Sequence, residues 1–493
     1  MYSPREKVFW FAITSRIAIL LLQLVSNASI PDHDADAFKR PLNFAEKASQ
    51  WDQIVHFLFS GLTRWDGEYF LHIAREGYTY ENTIAFYPVY PLIIRTVAVT
   101  LKLIIPEFFL NRESTLMIAA MLINFVCFVK AAVTLYDLTE YVFSNTVTAY
   151  KAAILYCVNP ASIFFSAVYS ESMFAYLTFY TMLASIKCAP TIYIPLALSI
   201  GVRSNGIINL GFPVYFGLKD SASKRINNYQ QNYGILSILW HILKLITLKN
   251  FFVILIAIIV SLFQFALIQV YNYMKFCIAT FNKSPLPEYV LRYATENDLV
   301  LAGSIHSAWC NDSLPLAYPY VQKTYWNIGF FKYYQFKQIP NFILALPILY
   351  IMLRCIKEFA CEYKNELCLL GLFENNETAS KSKIKKYPLN MFSFVAHGLF
   401  LTLFCLFFMH IQVSTRFLAS ASPLIYWHCA LIMSHKYSDQ LHLYESEQNV
   451  HSKWKVFFLS QEQYTLQDKL VLFYFIGYTI VGCFMFPNFL PWT

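Results

Sequence analysis

Long apolar runs separated by short polar stretches dominate the chain. A spanning helix needs about 20 apolar residues. Runs of that kind cover 8–29, 115–136, 149–167, 171–187, 250–274, 340–359, 391–412, 417–434 and 468–487. Two further stretches break the pattern. Residues 84–105 carry Pro88, Pro91, Arg95 and Lys102. Prolines and charges suit a lipid-exposed span poorly, so an interfacial helix lying in the membrane plane is predicted there. Residues 191–218 are interrupted by VRSNG, which predicts two short helices meeting at Arg203–Gly206. The pattern predicts an all-α polytopic membrane protein with about 9–11 transmembrane helices. No internal repeat is visible, and residues 1–493 read as a single membrane-embedded domain.

Loop charge predicts orientation. Segment 219–249 carries Lys219, Lys224, Arg225, Lys244 and Lys249, and segment 360–390 ends in KSKIKK before Tyr387. Both read as cytoplasmic, because cytoplasmic loops collect Lys and Arg. Segment 31–85 contains nine acids, and 275–338 is long, mixed and aromatic. Both read as lumenal, and 31–113 forms one lumenal loop with in-plane helices. The first run contains Arg16 and Gln23 and is long for a cleaved signal peptide. An uncleaved first span with a cytoplasmic N-terminus is the preferred reading.

Composition sharpens the class. Of 493 residues, 57% are hydrophobic and 14% charged, against roughly 25% charged in soluble domains. The net charge of +8 forms no long basic patch, so no nucleic-acid partner is expected. Eleven cysteines are scattered without a C-x-x-C pair, and read as small core residues rather than a metal site or disulfide framework.

Four polar clusters stand out against the apolar background. Trp65-Asp66-Gly67-Glu68 precedes an apolar, partly helical stretch in the first lumenal loop. A carboxylate there suits a general base for an acceptor hydroxyl. D-x-E chelation of a divalent cation is the alternative, and an ordinary solvated acidic loop is the bland one. Tyr169-Ser170-Glu171-Ser172 breaks an apolar run, either as a polar turn or as a substrate-facing glutamate. Arg203 needs an anion, which is either a nearby acid or a phosphate. His410, Gln412 and Arg416 lie in MHIQVSTRF between two runs, where a snorkelling arginine is the ordinary reading. No Gly-rich nucleotide loop and no H-E-x-x-H is present, so any donor is expected to be lipid-borne.

These stretches resemble the PIG-V family, the second mannosyltransferases of glycosylphosphatidylinositol (GPI) anchor synthesis. The resemblance rests on SRIAILLLQLVSNASIPDHDADAF, RWDGEYFLHIAREGYTYENTIAFYPVYP, NPASIFFSAVYSE, GVRSNG, YWNIGFFKYYQFKQIPNF, HIQVSTRF and the terminal NFLPWT. One departure is visible: the family pattern W-D-A-E-H is Trp65-Asp66-Gly67-Glu68-Tyr69 here, which argues against an essential metal-binding histidine. The resemblance implies a GT-C membrane glycosyltransferase of the endoplasmic reticulum with a lumenal active site. It implies α-1,6 mannose transfer, with inversion, from dolichyl phosphate mannose to a GPI precursor lipid, and it leaves room for an accessory membrane subunit. The catalytic residues would be Asp66, Glu68 and Trp65; Tyr169, Glu171, Arg203, Gln412 and Arg416 would bind substrate. No cofactor is expected, and a divalent cation at Asp66/Glu68 is not favoured. A different transferase using a lipid-phosphate sugar, a polytopic lipid transporter or scramblase, and a non-catalytic assembly subunit are the competing classes. A transporter would be expected to show broken helices in paired halves, and only one broken helix is predicted.

Overall fold

The computed structural model describes all residues except 1–2, 42, 44–45, 224–245, 279–285, 305–306, 368, 373–384, 434–463 and 493. The long apolar runs fold as helices because an unpaired backbone amide in hydrocarbon is too costly. They are α1 (Pro4–Ser29), α5 (Arg112–Phe143), α10 (Leu248–Cys277), α13 (Ile339–Glu362), α14 (Phe392–Phe407) and α17 (Leu466–Met485). Among the described residues, six helices, those just named with short flanking turns at α13, α14 and α17, are long and apolar enough to cross a membrane. Shorter helices pack around them: α2 (Gln50–Phe59), α3 (Asp66–Glu76), α4 (Val89–Ile104), α6 (Thr146–Cys157), α7 (Glu171–Ile186), α8 (Tyr193–Val202), α9 (Gly211–Ser223), α11 (Glu288–Glu296), α12 (Ala317–Trp326), α15 (Ser414–Ala421) and α16 (Leu424–Ile432). Among the described residues, one isolated β-bridge joins Tyr80 to Leu301.

The interrupted stretch at 191–218 is two helices, α8 and α9, separated by a 3-10 turn at Ser204–Leu210. Two runs read as continuous are broken. The 149–167 run stops at Cys157: the Asn159 side chain donates to the Tyr156 carbonyl and accepts from the Ala161 amide, and Pro160 has no amide to extend the ladder. Turns then lead to Tyr169 and Glu171. The 417–434 run divides at Ser422-Pro423 into α15 and α16, for the same proline reason.

One buried core runs from Val8 to Phe486 and takes in α1, α5, α6, α7, α13, α14 and α16. The first helix is pinned into it by Arg16, which is 2% exposed. Its guanidinium donates to the Cys157 and Ser162 carbonyls and to the Ser162 and Ser166 hydroxyls, and lies 3.7 Å from the Phe128 ring centroid. The Cys157 carbonyl is one of those left free where α6 ends, and the Ser162 and Ser166 acceptors lie in the turns that follow, so the helix break and the buried cation satisfy each other.

The cysteine reading needs correction. Cys157, Cys355, Cys405, Cys429 and Cys483 are buried as expected. Cys277 and Cys310, however, form a disulfide with 5.6 Å between their Cα atoms. Their separation of 33 residues carries no motif. The bond joins the end of α10 to the turn at Ala308–Asn311, which also holds Trp309, whose indole donates to Glu81 at 2.9 Å. That contact, the Tyr80–Leu301 bridge and the Tyr325 hydroxyl on Glu81 at 2.8 Å seat the second loop against the segment after α3.

Candidate active site

Trp65 has φ 57° and ψ −121°, a conformation non-glycine residues rarely adopt and one that costs on the order of 1–3 kcal/mol. The kink aims α3 so that Asp66 opens the helix. Its backbone amide, one of the four that a helix start leaves free, donates to the Tyr169 hydroxyl at 3.0 Å. Val168 is tied to the same turn through its amide on the Leu62 carbonyl at 2.9 Å. The residues around the break after α6 therefore hold the start of α3.

From Asp66 a chain of alternating charge crosses the site. The Arg416 Nη1 donates to Asp66 Oδ2 at 2.7 Å and lies 3.6 Å from Glu171 Oε1. Arg203 Nη1 donates to the same Glu171 oxygen at 2.6 Å. Glu171 is 1% exposed, and its Oε2 has no partner. Arg416 also lies 5.3 and 5.2 Å from the Phe164 and Tyr169 ring centroids. Burial alone would favour a neutral Arg416, but Asp66 and Glu171 more than offset it and hold the guanidinium charged. Two carboxylates and two guanidiniums thus balance before any ligand arrives.

A cavity of about 100 Å³ lies against Trp65, Asp66, Phe164, Tyr169, Gln412, Val413, Arg416 and Trp492. Sites that bury a small ligand run to about 300–1,000 Å³, so this cavity is smaller than one that encloses a ligand. The indole N–H of Trp65 is buried without a partner. Gln412 Oε1 accepts from the Tyr333 hydroxyl at 2.9 Å, which leaves its amide group to the cavity. His410 stacks on the Tyr333 ring at 4.7 Å.

The structure brings Trp65, Asp66, Tyr169, Gln412 and Arg416 to one cavity, with Glu171 and Arg203 behind it. Glu68 takes a different partner. Arg40 Nη1 donates to Glu68 Oε2 at 2.6 Å, and Arg40 also pairs with Glu113. Arg75 continues that network to Glu113 at 3.3 Å and Glu46 at 2.8 Å. Glu68 therefore fastens the chain before α2 onto α3 and α5. The residues not anticipated are Trp492, which reaches the cavity from the chain's end, and Phe164 and Val413. Their only signal was membership of quoted stretches: NFLPWT, NPASIFFSAVYSE and HIQVSTRF.

Comparison with known proteins bears on what this site does. Residues 5–493 match the family model described as Mannosyltransferase (PIG-V). A Drosophila melanogaster protein named GPI mannosyltransferase 2 is 35% identical, over 99% of this chain and 100% of its own. A human protein named GPI alpha-1,6-mannosyltransferase 2 is also 35% identical, with 99% of each chain covered. A Schizosaccharomyces pombe protein named GPI mannosyltransferase 2 is 28% identical over 89% of this chain and 75% of its own. Among solved structures, an Archaeoglobus fulgidus oligosaccharyltransferase is similar with a TM-score of 0.42 and 11% identity; 96% of this chain is matched, spanning 55% of that one.

Proposed function

This chain belongs to the PIG-V mannosyltransferase family, and on that premise we propose how it works. It is a GPI mannosyltransferase that adds the second mannose in α-1,6 linkage. The donor is dolichyl phosphate mannose, the acceptor a mannosyl-glucosaminyl-phosphatidylinositol, and the membrane that of the endoplasmic reticulum. The observation that carries the reading is the pairing of Asp66 with Arg416 at one cavity, with Arg203 one carboxylate further on.

Asp66 accepts the proton of the acceptor 6-hydroxyl as that oxygen attacks mannose C1. The bond from C1 to the phosphate oxygen breaks on the opposite face, inverting the anomeric carbon, and dolichyl phosphate leaves with the electron pair. Arg416, released from Asp66, meets the phosphate, and Arg203 supports it through Glu171. Trp65 and Gln412 offer hydrogen bonds to sugar hydroxyls. Displacement of the Asp66–Arg416 pair couples phosphate binding to the unmasking of the base. Both substrates are lipid-anchored, so confinement supplies part of the orientation.

Asp66 and Glu68 face different guanidiniums, which supports transfer without a shared divalent cation; activity in a chelator should persist. A lumenal site is supported by the Cys277–Cys310 disulfide, since such bonds persist in oxidising compartments. The loop that contains it packs on residues 80–81, just after α3. The test is rescue of a cell line lacking its own second GPI mannosyltransferase. Disappearance of the one-mannose intermediate is expected; continued accumulation with the protein present in the membrane would reject the assignment.

A further inference from the structure

A second cavity, about 220 Å³, lies far from Asp66 along α14. Gly211, Phe212, Ser393, Ala396, His397 and Phe400 are among the residues that line it. Helix α14 ends at Phe407, shortly before Gln412 and Arg416. At 1.5 Å per residue, His397 and Ser393 lie about 15 and 21 Å back along the axis. The two cavities therefore sit toward opposite ends of a helix that is long and apolar enough to span a bilayer.

Two features make this cavity a built site. Ser393 and His397 are each 8% exposed, and Ser393 Oγ and His397 Nδ1 have no hydrogen-bond partner. They stand one turn apart on the same helix face. A buried polar group without a partner is destabilising, and two on one cavity wall imply an acceptor that enters from outside. The serine hydroxyl donates, and so does the imidazole in its Nδ1–H tautomer. The rest of the wall is aromatic, with the Phe212 ring 5.0 Å from the imidazole. The mouth is formed by Gly211, Ala396 and Phe400, all exposed, with Phe400 52% exposed. On a spanning helix that exposure faces lipid, so the entrant comes from the bilayer rather than from water.

We propose that this cavity binds the ester-linked acyl chain of a membrane glycerolipid, with its ester carbonyl accepting from Ser393 and His397. Ester carbonyls lie near the membrane surface, and Ser393 lies near one end of its span. The cavity takes the upper part of one chain, not a whole lipid. It is a lipid site on the protein, additional to wherever the two reacting lipids bind.

The test uses the full chain in nanodiscs of phosphatidylcholine doped with a photoactivatable diacyl phosphatidylcholine, with crosslinks mapped by mass spectrometry. Labelling is expected on α9 and α14 at the cavity. A Cβ at Gly211 would meet nothing within 4 Å, so Gly211→Leu should fill the mouth without a clash and abolish that labelling. Labelling on the outer face of α10 should stay unchanged, as a control for folding. Ala396→Phe serves the same purpose should Gly211→Leu fail to fold. The ether-linked analogue, lacking the carbonyls, should label roughly two- to tenfold less at this cavity, and Ser393→Ala with His397→Phe should remove that preference. Undiminished labelling in the mouth-filling variants, or equal labelling by ester and ether lipids, overturns the proposal. Competition by dolichyl phosphate would assign the cavity to the donor's tail instead, which also overturns it.

Discussion

In the mechanism proposed above, the carboxylate and guanidinium 2.7 Å apart beside a small cavity act as a base that is masked until an anion arrives. Asp66→Asn keeps the shape of the helix start and removes the proton acceptor, so turnover should fall by about 10²-fold or more, with a smaller loss of stability than at Glu68 because the amide oxygen still accepts from Arg416 and Glu171 keeps that guanidinium paired. Glu68→Gln should do the reverse. It breaks a nearly buried pair with Arg40, and stability should drop by about 1–3 kcal/mol while turnover per folded molecule stays within a few-fold of wild type. Parallel melting curves and turnover measurements on both variants decide this; loss of turnover at Glu68 without loss of stability would restore it to the chemistry. The site was legible in the sequence to the extent that its polar residues stand out against apolar stretches: Glu171 and Arg203 interrupt apolar runs, Arg416 lies between two of them, and Asp66 immediately precedes an apolar stretch. Arg40 was not, because its role depends on a loop closing over 28 residues onto Glu68, and nothing local announces that. His72 adds a titratable group to the same region. It is 1% exposed, bonds the Thr79 hydroxyl at 2.6 Å and stacks on Tyr80. Burial, then the charges of Arg40 and Arg75, push its pKa down to about 3. Between that value and about 6.5 in the unfolded chain, the unfolded state binds the extra proton. The stabilisation is complete above about pH 6.5 and is lost as pH falls toward 3, at up to about 1.4 kcal/mol per pH unit. Melting temperature should fall between pH 7 and pH 5, and His72→Gln should flatten that fall.

At the scale of elements, the residues of the candidate site sit where helices break. Tyr169 and Glu171 follow the stop after α6, Arg203 ends α8, and Gln412 and Arg416 follow α14. A regular helix pairs its own backbone groups, so it offers neither a free amide nor an abrupt change of direction; a break supplies both. The break at Arg203 was legible because VRSNG is polar inside an apolar run. Those at Asn159-Pro160 and Ser422-Pro423 were not, since apolar residues on either side keep the hydropathy high through them. The Arg203 break depends on one glycine. A Cβ at Gly206 would lie 2.3 Å from the Ser199 carbonyl oxygen, which the Arg203 amide also uses at 3.1 Å. Gly206→Ala must therefore move backbone, at a cost of roughly 1–3 kcal/mol, and carry Arg203 off Glu171. We expect a lower melting temperature together with reduced turnover at limiting donor. A variant with wild-type kinetics would separate Arg203 from the site.

For the whole molecule, the decisive question is which face of the membrane Asp66 shares. The basic loops and acidic loops predicted an orientation from charge, and the disulfide gives an independent reason for the same side. Four N-x-[ST] sequons occur, at Asn27, Asn282, Asn311 and Asn376; of the three in loops beyond the first helix, only Asn311 lies within the described residues. It is exposed, directly follows Cys310, and ends the turn in which Trp309 is anchored on Glu81. Glu81 lies just beyond α3, whose first residue is Asp66. A glycan at Asn311 would therefore report the compartment of the packed body that holds the site, not merely that of a distant loop. Glycosylation of the sequon occurs on the lumenal side. Asn311→Gln should abolish an endoglycosidase-sensitive mobility shift, and Asn376→Gln should leave it unchanged. A glycan at Asn376 would put the basic 360–390 segment in the lumen and turn α14 end for end. Arg416 follows α14 and pairs with Asp66, so the whole charge chain would then face the cytoplasm, where the disulfide would not be expected to persist.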